Sequence, residues 1–357
     1  VMQVVKKLSW LVWVLLVACI DPYDYPFKEQ TNYLVVEGAV TTEPGPYAIT
    51  LTTTRNINNE ENAFKLREQN ARVIIATSSG KVEKLVEKDT SGVYYTSASF
   101  RGQIGESYQL TVTLENGMIY KSEEVELLPM PPIDSISIKY GSQKYVSQAN
   151  AIVDRKGFYI TAFVNDPPET ENAYLVNWDY TYKIFTHPEL ANYYDAEGCE
   201  CWVSSPKECC AVCWVEEESL DFAVANDRLN NGSSLTQYDL FFLPVVGIML
   251  YEKIHLEVSI SSLSKDAYFF WNAVYDSRYS QGGLFDPTPN TVEANVYNVD
   301  DKEELVLGYF YASDVRKISR FIHPTDFPER IDPDTGYPDT CLLYPNTTAE
   351  EPEYWNE

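Results

Sequence analysis

Residues 172–186, NAYLVNWDYTYKIFT, alternate bulky and polar side chains over most of their length. The even-numbered positions carry the bulky set, namely Tyr174, Val176, Trp178, Tyr180 and Tyr182. The odd-numbered positions carry the polar set, namely Asn177, Asp179, Thr181 and Lys183. Because successive side chains of a β-strand point to opposite faces of the sheet, this pattern predicts a strand with one face in a core and the other in water.

Similar runs lie on both sides of this segment, and the composition favours sheet over helix. The chain of 357 residues holds 27 tyrosines, 15 phenylalanines and 7 tryptophans, and aromatic side chains suit half-buried pleated surfaces. We therefore predict a mainly β protein whose length is enough for two domains.

The first domain is predicted over residues 33–129. Short alternating runs such as ARVIIATSSG and SYQLTVTLENG are separated by turn signals, which are Ser79-Gly80, Ser91-Gly92 and Asn116-Gly117. This spacing is typical of a hairpin-rich sandwich of the Ig-like or transthyretin-like kind. Residues 128–136, LPMPPIDSI, hold prolines at three of four successive positions and cannot continue a central strand, so we expect the second domain to begin at residue 130.

The second domain, over residues 130–357, is predicted to be β-rich with one amphipathic helix at 264–279. Ser264 can cap this helix, and Tyr268, Trp271 and Tyr275 recur at the spacing of one helical face. Gly282 and Gly283 then end the helical pattern.

The N-terminal segment has the pattern of an export signal. Two lysines precede the apolar residues 8–17, and Leu16-Val17-Ala18-Cys19 matches the bacterial lipobox. We expect a signal peptide over 1–18, lipidation of Cys19 and a tether over 19–32; the alternative is a short N-terminal helix packed on a core. Asp21 and Asp24, after the cysteine, resemble acidic signals for export to the cell surface.

The formal net charge of −26 argues against nucleic acid as a partner. An acidic surface repels phosphate at long range, and the same reasoning excludes attachment to an anionic membrane through a basic patch.

Six further cysteines predict disulfides, because their number is even and the chain is predicted to be exported. They are Cys199, Cys201, Cys209, Cys210, Cys213 and Cys341. The first five fall in an insertion at 195–215, which we expect to be a disulfide-bonded loop outside the core. Cys341 would link the C-terminal tail to this insertion. Fifteen connectivities are possible, and a bond from Cys341 to Cys213 would stabilise the fold by about 4–5 kcal/mol through loop entropy. Zinc is the alternative, but no histidine lies inside the cluster, so we predict no metal.

Catalytic motifs are missing from the sequence: it has no G-x-S-x-G, H-E-x-x-H, P-loop or G-x-G-x-x-G. His187, His255 and His323 are scattered, so we predict a protein that is not an enzyme and carries no cofactor. Residues 332–339, DPDTGYPD, place Asp332, Asp334 and Asp339 around Gly336 and resemble a calcium loop, although a solvated turn is the preferred interpretation.

A family resemblance spans nearly the whole chain after Cys19. The lipobox is followed in order by NYLVVEGAV, FVNDPPETENAYLVNWDY, NDRLNNGSSLTQYDLFFLPV, SLSKDAYFFWNAV, GGLFDPTPNTVEANV and ELVLGYFYAS. Together they resemble the Bacteroidetes outer-membrane lipoproteins of domain-of-unknown-function family 4249. The sequence departs from that pattern where AYLVNW replaces YYRW and where the tail has a single cysteine, which leaves the partner of Cys341 open.

The resemblance implies a lipid-anchored, cell-surface protein of the outer membrane that assists a TonB-dependent transporter and binds its cargo, with no catalytic residues. The ligand is not implied. Two alternatives remain at this point: a structural or adhesive surface lipoprotein without a transporter, and a hydrolase acting on surface glycans or peptides.

Overall fold

The computed structural model describes residues 32–54, 66–147, 151–165, 171–228, 236–279, 292, 294–328 and 338–356. Within these ranges the chain is mainly β, with one α-helix and a disulfide-rich region, so the predicted fold class is confirmed. The described residues contain no helix long and apolar enough to cross a membrane.

Ten strands precede the proline-rich segment. They are β1 (Leu34–Thr41), β2 (Ala48–Thr53), β3 (Leu66–Arg67), β4 (Arg72–Thr77), β5 (Val82–Lys84), β6 (Val86–Glu87), β7 (Val93–Tyr95), β8 (Ser107–Thr113), β9 (Ile119–Ser122) and β10 (Val125–Glu126).

Thirteen strands and the helix follow it. They are β11 (Ile133–Val146), β12 (Ile152–Val164), β13 (Ala173–Phe185), β14 (Asn192–Asp195), β15 (Cys201–Ser204), β16 (Val212–Glu218), β17 (Ala223–Asn226), β18 (Thr236–Pro244), β19 (Ile254–Leu263), α1 (Lys265–Tyr279), β20 (Val296–Asn298), β21 (Leu307–Ser313), β22 (Val315–Ile322) and β23 (Thr347–Thr348). Short 3-10 helices lie at Pro188–Leu190, Gly247–Leu250, Pro324–Asp326, Cys341–Leu343 and Glu353–Asn356.

The first half forms a sandwich of two sheets around one core. One sheet has the order β21-β1-β2-β7-β6 with β3 paired to β2, and the other has the order β20-β9-β8-β4-β5 with β10 paired to β8. Alternate residues of these strands meet between the sheets, for example Val36 of β1, Leu51 of β2, Ile75 of β4 and Leu110 of β8, all fully buried. The turn signals of the sequence therefore lie between successive strands, and the longer strands each bury one face.

The second half has its own core, between the sheet β11-β12-β18 and the sheet β22-β19-β13-β16-β23, in which β17 also pairs with β13. Strand β13, which the alternation in residues 172–186 predicted, lies at the centre of the second of these sheets. Its even-numbered residues Tyr174, Val176 and Trp178 are buried, as the alternation predicts. Its other face is buried in part as well, because α1 covers Leu175 and the C-terminal Tyr354 hydrogen-bonds the hydroxyl of Thr181 at 2.9 Å.

The helix begins directly after Ser264, whose hydroxyl accepts a hydrogen bond of 3.2 Å from the Ala267 N–H and so caps the first turn. Ala267, Tyr268 and Trp271 then pack in a cluster with Leu175 of β13 and Tyr309 of β21. The helix is therefore shared between the two halves of the chain.

Strands β20 and β21 lie late in sequence but complete the sheets of the first half. Strand β21 pairs in parallel with β1, with Val36 opposite Gly308. Gly308 has a φ of +84°, and a Cβ atom there would lie 2.1 Å from the Val36 carbonyl oxygen, so only glycine allows this approach. The domain boundary at residues 129/130 stays a prediction. Strands β20 and β21 follow this boundary in the sequence but belong to the sheets of the first half.

The buried side chain of Asp314, between β21 and β22, joins the two halves. Its Oδ1 accepts a hydrogen bond of 2.7 Å from the Thr42 hydroxyl, and its Oδ2 accepts one of 2.9 Å from the Met130 N–H. Its own N–H donates to the Ser262 hydroxyl at 2.9 Å, and that hydroxyl donates to the Leu128 carbonyl at 2.6 Å. We call Asp314, Ser262, Thr42 and Met130 the junction, because they link β1, the proline-rich segment and β19.

The insertion at 195–215 was expected to lie outside the core, and this is wrong for its last residues. Cys213 and Val215 are buried in the second core, because residues 212–218 form β16 and pair with β13. Residues 212–215 are a short apolar run that suits a buried strand, and the cysteine content of the stretch concealed this in the sequence. The hairpin β14–β15 does protrude, with Trp202 70% exposed.

The six cysteines are joined as Cys199–Cys201, Cys209–Cys210 and Cys213–Cys341. The third bond holds the C-terminal tail against β16, where β23 also pairs. The tail is anchored again by Trp355, which is buried and packs edge-on against Trp214 at 6.3 Å between ring centroids.

Substitution of Asp314 tests the junction. We expect Asp314→Ala to lower the free energy of unfolding by about 3 kcal/mol, because it leaves buried donors without their acceptor. Urea unfolding followed by fluorescence measures this. Glu115→Ala, at an exposed carboxylate, should change the value by less than about 0.5 kcal/mol. A loss at Asp314 no larger than at Glu115 would contradict the assignment.

The disulfides predict a contrast between two double variants. Cys213→Ala/Cys341→Ala opens a loop of 128 residues and should lower the free energy of unfolding by about 4–5 kcal/mol on the loop-entropy account. Cys199→Ser/Cys201→Ser opens a separation of 2 residues and should cost only about 1–1.5 kcal/mol on the same account. Equal losses in the two variants, measured by urea unfolding, would show that loop closure is not the source of the stability.

Candidate ligand-binding cleft

A cleft of about 500 Å³ lies at β18, the edge strand of the three-stranded sheet. Its borders are the β11–β12 hairpin, the segment before β17 and the C-terminal end of α1. Eight of its lining residues are aromatic, namely Tyr145, Tyr159, Trp178, Phe222, Phe241, Phe242, Tyr275 and Tyr279. We call this site the aromatic cleft.

A bulge in β18 arranges part of the aromatic wall. Ile160 of β12 pairs with Phe241, but the next residue, Thr161, pairs with Asp239, so Leu240 is an extra residue in the strand. Such a bulge redirects the side chains that follow it. Leu240 and Leu243 both enter the core, while Phe241 stacks on Trp178 with 3.6 Å between ring centroids.

Accessible aromatic faces remain around this stacked pair. Tyr145, Tyr159 and Tyr279 are each about 40% exposed. The Tyr159 ring packs against Phe242 at 4.8 Å between centroids, and its hydroxyl donates to the Ser142 carbonyl at 2.7 Å. These contacts hold the Tyr159 ring in place while one side of it stays open to solvent.

Basic side chains occupy one wall of the cleft. The Arg155 guanidinium lies 4.7 Å from the centre of the Tyr145 ring, within cation–π range. Its Nε and Nη2 donate to the Gln143 side-chain oxygen at 3.2 and 2.8 Å. Lys144 also lines the cleft.

Two carboxylates also line the cleft. Asp221 Oδ1 accepts hydrogen bonds from the Tyr279 hydroxyl at 2.9 Å and from Arg278 Nη2 at 3.1 Å. Asp239 Oδ1 accepts one from the Thr161 hydroxyl at 3.0 Å. Burial, and then the hydrogen bond to Asp221, raises the pKa of Tyr279 to about 12.

The arrangement can hold a small organic ligand. Ligand sites in proteins are concave, usually 300–1,000 Å³, and combine apolar or aromatic walls with a few polar groups that fix orientation. The aromatic cleft has each of these properties within the described part of the chain.

The residues predicted from sequence lie elsewhere. Cys19 falls outside the described residues, as do residues 329–337 with Asp332, Asp334 and Gly336. Asp339 forms an ion pair with Lys207 at 2.6 Å, and this contact lowers the pKa of its carboxyl group. The six disulfide cysteines do not line the aromatic cleft.

The three histidines do not converge on one site. His187 contacts Glu189, His255 stacks on Tyr354, and the backbone N–H of His323 donates to Asp326. Among the described residues no group of three or more His, Cys, Asp or Glu side chains is placed to hold a metal ion.

Sequence reasoning predicted the aromatic helix face that includes Tyr275 but missed the rest of the cleft. Arg155, Tyr159, Asp221 and Phe241 come from three separate segments, and no motif connects them. A usable signal was the second, outward set of aromatic residues on strands that already had a buried face, such as Tyr159 on β12.

The described residues thus define a mainly β, disulfide-bonded protein with two cores and an open aromatic cleft. Residues 20–319 match the family described as "Domain of unknown function (DUF4249)", and the chain belongs to that family. No curated protein matches the chain.

Solved structures that are similar over part of the chain include the crystal structure of a DUF4785 family protein from Legionella pneumophila subsp. pneumophila. The identity is 12%, the match covers 64% of this chain and 52% of that one, and the TM-score is 0.19. This chain therefore spans about half the length of that protein.

The pKa of Tyr279 tests its contact with Asp221. Since it lies above the ordinary value of 10.0, the folded protein keeps this proton between pH 10 and 12 while the unfolded chain loses it. The free energy of unfolding therefore falls as the pH rises through that window.

Replacing Asp221 should lower the pKa of Tyr279. We expect Asp221→Asn to bring it closer to 10, yet still above it, because burial is the larger cause. Carbon-13 NMR of ring-labelled tyrosine, assigned with Tyr279→Phe, measures this pKa directly. Asp239→Asn, on a carboxylate bonded to Thr161, is the control and should leave it unchanged. An unaltered pKa in Asp221→Asn would contradict the assigned contact.

Proposed function

We propose that this protein is a lipid-anchored binding protein of the outer membrane that takes up a ligand in the aromatic cleft and works with a TonB-dependent transporter. The observation that carries the binding role is the cleft itself, with its open aromatic faces and groups of both charges. The membrane anchor is supported by the lipobox ending at Cys19, and the transporter by the family resemblance described from the sequence.

Lipidation at Cys19 has a clear energetic basis. One acyl chain holds a protein at a membrane only marginally, whereas two or more hold it stably. Residues 20–32 would then act as a tether, since they contain two prolines and no apolar periodicity. A tethered protein exposes its cleft to solutes near the membrane.

A hydrolase is the second candidate, favoured by one specific observation: the aromatic cleft brings two carboxylates, Asp221 and Asp239, to one aromatic-walled site. Pairs of carboxylates catalyse glycoside hydrolysis when one acts as an acid and the other as a base or nucleophile. In this protein both accept hydrogen bonds from neighbouring side chains, which suits a role in binding. Turnover of a bound glycan that is lost in both Asp221→Asn and Asp239→Asn would favour the hydrolase.

Substitution of the lipobox cysteine tests the anchor. We expect Cys19→Ser to move the protein from the membrane fraction to the soluble fraction, because no acyl chain can be attached. Immunoblotting of fractionated cells measures this. Cys199→Ser, at an exposed disulfide cysteine, should stay with the membranes. The anchor assignment fails if Cys19→Ser remains membrane-bound.

Affinity purification from native outer membrane tests the partner. The tagged full-length protein should recover a TonB-dependent transporter by mass spectrometry, and the Cys19→Ser variant should recover less of it. Recovery of the protein without any transporter would favour the structural or adhesive alternative. Protease shaving of intact cells tests the orientation, since a surface-facing protein is cleaved before the cells are broken.

A further inference from the structure

The proposed binding role leaves open the chemistry of the ligand, and the aromatic cleft provides three observations on it. The first is the set of open aromatic faces. Phe241 covers one face of Trp178, so that ring serves mainly as a wall. Tyr145, Tyr159 and Tyr279 retain about 40% exposure and stand on different elements around the cleft. Flat faces with polar rims suit a ligand that has both apolar C–H surfaces and hydroxyl groups.

The second observation is the balance of charge. The charged lining residues are Lys144, Arg155, Asp221 and Asp239, so their formal charges cancel. The chain as a whole carries −26. The field of the whole molecule repels an anion and attracts a cation, but the balanced lining of the cleft offers neither ion a net charge to pair with.

The third observation is that three of these four charged side chains have hydrogen-bond partners inside the protein. Arg155 donates to Gln143, Asp221 accepts from Arg278 and Tyr279, and Asp239 accepts from Thr161. An ionic ligand would have to compete with these contacts. A neutral ligand with several hydroxyl groups can add hydrogen bonds to the remaining lone pairs and N–H groups without separating the existing pairs.

We propose, on the basis of the binding role above, that the aromatic cleft takes a neutral oligosaccharide. Sugar rings stack through their C–H faces on Tyr159 and Tyr145, and their hydroxyls form hydrogen bonds with the polar groups that line the cleft. The volume of about 500 Å³ is that of a site for a short oligosaccharide. Peptides and charged glycans are the competing ligand classes.

The test is a glycan array that carries neutral and acidic oligosaccharides, with a matched array of short peptides, probed with the full-length protein. Neutral glycans should give the strongest signals. Isothermal titration with the best neutral glycan should then show a Kd that changes less than about twofold between 0.05 and 0.5 M salt, because screening affects only charged contacts.

Variants locate the binding in the cleft. Tyr159→Ala and Tyr145→Ala should each weaken the glycan by about tenfold or more, since the stacking face is removed. Tyr159→Phe keeps the ring and should bind within about threefold of the parent protein. The control is Tyr193→Ala, at a tyrosine exposed on the β14–β15 hairpin, which should bind as the parent does. Unchanged near-ultraviolet circular dichroism confirms that each variant is folded.

The other outcomes separate this inference from the binding role. Signals confined to peptides or acidic glycans that Tyr159→Ala abolishes would overturn the choice of a neutral glycan and leave the cleft as a binding site. Neutral-glycan binding that persists in Tyr159→Ala and Tyr145→Ala would overturn the cleft as the site. No signal on either array would overturn the oligosaccharide, while recovery of a transporter from native membrane would still support the accessory role.

Discussion

The buried carboxylate of Asp314 is the constraint on which the relation between the two halves of the protein depends. It accepts hydrogen bonds from Thr42 at the end of β1 and from Met130 in the proline-rich segment, and its own N–H bonds Ser262 near the end of β19. A carboxylate buried among donors is costly to leave unpaired, so these segments are held together or the fold is lost locally. At this point the chain leaves the sheet of β1 and enters the sheet of β19.

The passage of the chain from one sheet to the other also explains how many of the aromatic residues are buried. Strand β21 brings Tyr309 and Tyr311 to the side of α1, where they meet Trp271 and Phe270. The helix also covers Leu175, so part of the second face of β13 is buried. Burial of aromatic surface is a large favourable contribution to folding, and the helix shared between the two halves provides it.

The aromatic cleft is a consequence of this architecture at its open edge. Among the described strands, β18 is at the edge of its sheet. The bulge at Leu240 redirects Phe241, and the end of α1 places Tyr279 against Asp221. None of these contributions is itself a binding motif. Their meeting produces a concave surface with aromatic faces and balanced charge, and ligand binding is the role that this surface supports best.

The sequence by itself determined the features that depend on neighbouring residues: the mainly β class, the alternating face of β13 with Tyr174, Val176 and Trp178, and the Ser264 cap before α1. Strand and helix periods are local, so they can be read from spacing alone. The tertiary structure alone decided the pairing of Cys213 with Cys341, the placement of β21 beside β1, the burial of Leu175 and the assembly of Arg155, Asp221 and Phe241 into one cleft. Each of these joins segments far apart in the chain, and such contacts are selected by the packing of whole sheets, which leaves no periodic signal at either end.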